Sequence, residues 1–352
     1  VEWPARGLSF VRWPTMRAMF VHLRLHTEFS VVDGTTRIDD IVKAAAGDGQ
    51  PALAVSDFGN LFGAIKFYKA ARGAGVKPII GAEVLLEGRD PEQDAPARVL
   101  LLAAHTQGYL NLSELLARAW TQGVVKGQAV VRWAWLEELA EGLILLSGAQ
   151  AGPVGQALLQ GNVELASEIA LRLAERFPHR FYLELQRAGR ADDEAHVAAA
   201  VQLAARLRLP VVATHPVQFA TADDYEAHEA RVCIAEGEIL GNPRRVRRFT
   251  PQQYFKSTAE MQALPEKDRP NLGWALANGV EIARGCSLTL VRGKPQLPDF
   301  PVPQGHTVET YFRQTSIDGL EERLAHLYPD AAQRAAERPR YLERLEFEID
   351  TI

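Results

Sequence analysis

The chain has 352 residues, 47% of them hydrophobic and 24% charged, with a formal net charge of −5. Such a composition supplies one large core or two smaller ones, and it excludes the strongly basic footprint of a tight nucleic-acid binder, so any contact with DNA is expected to be local. The two cysteines, Cys233 and Cys286, stand far apart with no CxxC pair, which argues against a disulfide framework or a zinc knuckle and for a reducing cytoplasm.

In chain order, residues 1–19 come first. They mix Trp3, Pro4, Arg6, Arg12, Trp13 and Pro14 without the apolar stretch of a signal peptide, and are expected to be an extension with little fold of its own. No later run is apolar and long enough to span a membrane. From Phe20 the pattern becomes regular. Strands are predicted at Phe20–Leu25, Ala52–Val55, Ile79–Leu86, Val99–Ala103, Gly142–Ser147, Phe181–Gln186 and Pro210–Ala213. Helices are predicted around Ile38–Ala45 and at Leu61–Ala74, Leu110–Trp120, Val163–Phe177 and Glu194–Leu207, where apolar residues recur at helical spacing. Short strands alternating with helices predict βα units and a mostly parallel sheet, closed as a barrel or spread open. In either form a site would be built at the C-terminal ends of the strands.

After Thr214 the character changes. A helix is predicted at Asp223–Glu236, then a loop, Gly241–Pro251, with Arg244, Arg245, Arg247 and Arg248, then a helix at Pro270–Arg284. Pro295, Pro298, Pro301 and Pro303 form a joint that makes the best domain boundary. Beyond it, Val308–Leu327 and Ala331–Ile349 are charged helices with few apolar residues, the expected start of a second domain whose core is incomplete.

The first candidate chemistry lies in His22-Leu23-Arg24-Leu25-His26-Thr27. His22, Arg24 and His26 alternate along a strand and face one way. Histidine at a strand end, joined by carboxylates from neighbouring strands, can hold a divalent metal. Asp33, Asp57 and Glu83 are the available acids, and a site of His26, Asp33 and Glu83 is chemically reasonable. Each residue also has a structural reading. Asp33 before Gly34 shapes a turn, Asp57 caps the helix beginning near Asn60, and Arg24 pairs with Glu83 or Asp57. The four arginines of the 241–251 loop suit a phosphate backbone or a solvated surface equally. No phosphate-binding GxxxxGK[ST], no GxGxxG after a strand and no GxSxG elbow occurs. His105, His179, His215 and His228 have no partner at catalytic spacing.

The runs FVHLRLHTEFSVVDG and PALAVSDFGNLFGAIKFYKAARGAGVKPIIGAEV, followed by GYLNLSELLARAW, EGLILLSG, RFYLELQRAGR, LPVVAT, AHEARVCI and NGVEIARGCSL, resemble the opening of the bacterial DNA polymerase III α subunit family, its replicative form more than its error-prone paralogue. The resemblance covers nearly everything from Phe20 onward. It implies an α/β fold in which residues 20–295 form a PHP domain, a distorted (β/α)7 barrel, and residues 296–352 the helical start of the palm. The palm carboxylates that hold Mg2+ for nucleotide transfer lie further downstream in the family, so this stretch is expected to contain no catalytic residue and no cofactor.

The PHP pattern also judges each ligand position. His26, Asp33 and Glu83 match metal ligands. Arg24, Phe58, Arg98, Ala149, Pro216 and Gln218 stand where ligands are lost. Three ligands cannot hold a trinuclear hydrolytic centre, and guanidinium groups in vacated positions can neutralise the leftover carboxylates. The expected role is a silent scaffold that docks the separate proofreading exonuclease subunit in a cytoplasmic, DNA-bound holoenzyme. The alternatives are an active PHP phosphoesterase or built-in 3′–5′ exonuclease, and a pure binding module.

Overall fold

The computed structural model describes residues 19–90, 94–266, 273–291, 293, 295 and 298–352; apart from Met19, the extension read at residues 1–19 lies outside them. The chain divides into two compact units, with the division after Leu290.

In the first unit the elements run α1 (Ile38–Gly47), β1 (Ala52–Val55), α2 (Ala64–Gly73), β2 (Lys77–Leu86), β3 (Ala97–Ala103), α3 (Thr106–Gln122), β4 (Val124–Val125), β5 (Gln128–Val131), α4 (Trp133–Glu138), β6 (Leu143–Leu146), α5 (Pro153–Leu159), α6 (Val163–Arg176), β7 (Phe181–Gln186), α7 (Asp193–Leu207), β8 (Val211–Thr214), α8 (Tyr225–Glu236), α9 (Thr258–Glu266) and α10 (Gly273–Gly285). The strands pair in the order β1-β2-β3-β6-β7-β8, with the β4–β5 hairpin attached along the far half of β2. The ring closes through residues 20–27, predicted as a strand but held by isolated bridges instead. His22 pairs parallel with Leu53 of β1, and Leu25 with Val217 just past β8, where the His26 N–H donates to the Val217 carbonyl at 2.9 Å. All neighbours around the ring are parallel except β3, which runs against both β2 and β6. No helix separates β2 from β3, so the chain simply turns back, and the start of β3 reaches the rim where its neighbours end.

Nearly every residue of β1, β2, β3 and β6 is buried, as expected for strands covered by helices on one side and facing a filled interior on the other. Helices α1 and α2 show Ile38, Ile41, Val42 and Ala45, and Ala64, Phe67, Tyr68 and Ala71, to the sheet. Each fully buried large apolar side chain contributes about 1.5–3 kcal/mol.

The ring interior also holds two histidines. His22 and His215 are fully buried with ring centroids 6.3 Å apart. His22 Nε2 lies 2.8 Å from the Lys256 carbonyl, while His22 Nδ1 and both His215 nitrogens have no hydrogen-bond partner among the described residues. Burial pushes His22 down to about 4, against the weaker upward pull of the Lys256 carbonyl bond, Asp48 and Glu260. Burial, His22 and Lys256 hold His215 well below the ordinary range. The unfolded chain takes protons on these rings near the ordinary histidine value of about 6.5, whereas the fold refuses them. Their contribution to stability is therefore intact above about pH 6.5 and falls as pH drops below it, by about 1.4 kcal/mol per pH unit per ring. Urea unfolding at pH 7, 6 and 5 should show this slope, and His22→Gln should roughly halve it; an unchanged slope would refute the assignment to the pair.

The second unit, described by itself, is a helical hairpin of α11 (Val308–Leu327) and α12 (Ala331–Thr351). Thr307 and Asp330 cap the two N-termini, and an Arg338–Glu321 pair at 2.6 Å and Arg313–Asp350 at 2.6 Å join the helices. Leu324 is its one fully buried apolar side chain among the described residues, in keeping with the low apolar content read from the sequence.

Candidate functional site

The strand ends bring together residues that are far apart in sequence. Arg24 and His26 project to the same side of the N-terminal segment. Glu83 of β2 and Arg98 of β3 share one face of their ladder, since Arg98 sits opposite Leu85, two residues from Glu83. Glu184 comes from the middle of β7, and Asp33 from the tight turn that follows the N-terminal segment, where the N–H groups of Asp33 and Gly34 both donate to the Ser30 carbonyl.

Two guanidinium groups organise the cluster. Arg24 forks onto Glu184, with Nε 2.9 Å from Oε1 and Nη2 3.0 Å from Oε2, and its Nη1 contacts Glu83. Arg98 Nη1 donates to Glu83 Oε1 at 2.5 Å and Asp33 Oδ2 at 3.3 Å, and its guanidinium lies 4.4 Å from the centroid of the Phe58 ring. His26 Nδ1 lies 2.8 Å from Asp33 Oδ1. Its Nε2 is 3.6 Å from Glu83 Oε2 and has no hydrogen-bond partner among the described residues. Glu184 also accepts bonds from the Gly148 N–H at 3.0 Å, the Gln186 amide at 3.0 Å and the Thr214 hydroxyl.

Burial alone would push these carboxyls up. For Glu184 the Arg24 fork overcomes it and holds the group below the ordinary glutamate range. For Asp33, the His26 ring, Arg98 and the Ser30 hydroxyl together hold it far below the ordinary aspartate range. Asp57 differs: burial raises it despite bonds from the Thr27 N–H at 2.6 Å and hydroxyl at 2.9 Å.

Every matched ligand position lies at or beside this cluster. Arg24, Glu83, Arg98, Pro216 and Gln218 line a cavity of about 50 Å³ with Gly148, Gln186, Arg190 and Phe249; Ala149 follows Gly148, and Phe58 lies under Arg98. Gly148 is the residue that lets the wall close. Its φ is +82°, and a Cβ there would stand 1.8 Å from the Arg98 carbonyl oxygen.

Three readings of single residues change. Asp57 does not cap a helix, because both its oxygens hold Thr27 and α2 begins at Ala64 with no side-chain cap. Arg24 pairs with Glu83 but not Asp57; its other partner, Glu184, is absent from the sequence-derived set. The signal for Glu184 is present in Phe181–Gln186, where Glu184 and Gln186 alternate with Leu183 and Leu185 and so mark one polar face turned into the ring. Arg245 is not free for a phosphate backbone: its side chain is buried against Glu229, which leaves Arg244, Arg247 and Arg248 on the surface, Arg248 at 3.3 Å from Glu236. His228, read as ordinary, is buried and bonds the Asp33 carbonyl at 2.9 Å, bracing the turn that carries Asp33.

Residues 22–188 match the PHP domain family. DNA polymerase III subunit alpha of Pseudomonas aeruginosa is 49% identical over 339 residues, 96% of this chain and 28% of that protein. The corresponding subunit of Neisseria meningitidis serogroup A is 48% identical over 336 residues, 95% of this chain and 29% of that protein. The chain thus spans less than a third of the length of these relatives. Among solved structures, an amidohydrolase from Chromobacterium violaceum overlaps 60% of this chain and 96% of its own at 14% identity, with a TM-score of 0.38, too loose a match to bear on the site. The chain is a relative of the DNA polymerase III α subunits that matches them along nearly its own whole length, and its residues 22–188 are a PHP domain.

Proposed function

We propose that this chain is the N-terminal part of a DNA polymerase III α subunit, and that its barrel is a scaffold without hydrolytic activity that docks the proofreading exonuclease subunit. The observation that carries this is the placement of Arg24 and Arg98. They occupy two of the matched ligand positions and already engage Glu83, Glu184 and Asp33. A divalent ion does not fit this donor set: it would have to displace two fixed cations and sit beside them. What the cluster does is join the N-terminal segment, β2, β3 and β7 at one rim.

The whole protein, on this reading, adds deoxynucleotides to a primer with Mg2+ held by palm carboxylates outside the stretch described. It works in the cytoplasm with DNA and the rest of the holoenzyme. No helix among the described residues is long and apolar enough to cross a membrane.

The test is metal and turnover together. Zn2+, Mn2+ and Mg2+ should leave the thermal unfolding midpoint of the purified chain unchanged, EDTA should not lower it, and a 3′-labelled single strand should stay intact. Stoichiometric metal together with strand cleavage that His26→Ala abolishes would overturn the scaffold reading.

A further inference from the structure

Helix α2 and the turn before it carry an outer face that the barrel does not use. Phe62 is 72% exposed and Ile65 is 45% exposed, and the orientation is fixed because Ala64, Phe67, Tyr68 and Ala71 hold the opposite face against the sheet. Two further apolar groups border them. Val31 and Val32 stand exposed on the turn that begins at Glu28, which is tied to α2 by Lys66 at 3.0 Å. Trp120 is half exposed, with its indole N–H donating to the Gly59 carbonyl at 2.7 Å. Large side chains left in water beside one another mark an interaction surface.

Charge selects the occupant. Farther along the same side of α2 come Lys69 and Arg72, both exposed, with no ion pair among the described residues, and α2 contains no acidic residue. From Phe62 to Arg72 the face runs about 15 Å, three helical turns. A second copy of α2 would set cation against cation. A nucleic-acid strand would suit Lys69 and Arg72 but would leave Phe62, Ile65, Val31 and Val32 facing sugar and phosphate.

We infer that this face is the docking site for an amphipathic helical segment of the proofreading exonuclease subunit, presenting apolar side chains to Phe62 and Ile65 and acidic ones to Lys69 and Arg72, in the helix-on-groove manner of peptide recognition. The inference rests on the barrel being a docking scaffold.

The experiment is calorimetric titration of the full chain with the purified proofreading subunit from the same organism. Phe62→Asp combined with Ile65→Asp should weaken binding by about tenfold or more, with the thermal midpoint unchanged because both sites are exposed. Lys69→Glu with Arg72→Glu should weaken it by a smaller factor and reduce its dependence on salt. Leu171→Asp, exposed on α6, should bind like the wild type. If the wild type binds and the Phe62/Ile65 variant binds equally, the surface is wrong and the scaffold reading stands. If the wild type does not bind, the scaffold reading fails and the inference with it. Binding of a single-stranded oligonucleotide that is lost in the Lys69/Arg72 variant, with no subunit binding, would assign the face to nucleic acid instead.

Discussion

Replacing Arg24 by alanine is expected to lower the free energy of unfolding by about 3–5 kcal/mol, the range found when one member of a buried charged network is removed. The side chains of Glu83 and Glu184 are almost wholly excluded from solvent. Without Arg24, Glu83 keeps Arg98, but Glu184 keeps only the neutral donors Gly148 N–H, Gln186 and Thr214, and burial then pushes its carboxyl up. The defect should therefore shrink as pH falls below about 5, where protonation removes the uncompensated charge. Arg24→Lys keeps the charge but not the fork onto Glu184, so it should fall between. Urea unfolding followed by circular dichroism at pH 7.5 and 5 measures all three, and a loss under about 1 kcal/mol for Arg24→Ala at pH 7.5 would show that the cluster is not the brace inferred from its burial.

Gly148→Ala should cost about 2–5 kcal/mol, combining a left-handed backbone with a side chain forced onto neighbouring backbone. The residue has φ +82° and no room for a Cβ beside the Arg98 carbonyl. It also gives its N–H to Glu184. Any shift that relieves the clash must then move either Arg98 or Glu184 out of the cluster. Gly127 is the control. Its φ is +78°, but a methyl group there would meet nothing within 4 Å, so Gly127→Ala should show only the conformational part, about 1 kcal/mol. Equal losses at the two glycines would remove the close approach from the explanation.

The elements legible in the sequence are those whose pattern is local. Ala52–Val55 and Phe181–Gln186 form strands over the residues predicted, because an apolar or alternating run between turn residues has few other uses. Predicted helices such as Val163–Phe177 differ from the observed ones by a residue or two, the usual fraying of helix ends. The β4–β5 hairpin and α4 are not legible, since two to six residues are too few to show a period. Nor is the reversal of β3, which depends on what the chain does between two similar apolar strands rather than on either strand. At the site, the residue types point to the right rim, because polar groups at strand ends have little other reason to be there. The partner of each arginine is not legible, because pairing across the ring depends on register and closure, and that is why Glu184 is missing from the set read off the sequence.

The same pairing sets a timetable. Arg24 and Glu184 are 160 residues apart in the chain. A polypeptide made at about 5–20 residues per second exposes Arg24 for roughly 10–30 seconds before Glu184 exists. For that interval the nascent rim holds a cation with only Glu83 and Asp33 nearby, and its first segment has no neighbour past β8 to lock against. The barrel can therefore seal only late in its synthesis, and the stretch from Phe20 to Thr27, which is made first, is among the last to become fixed.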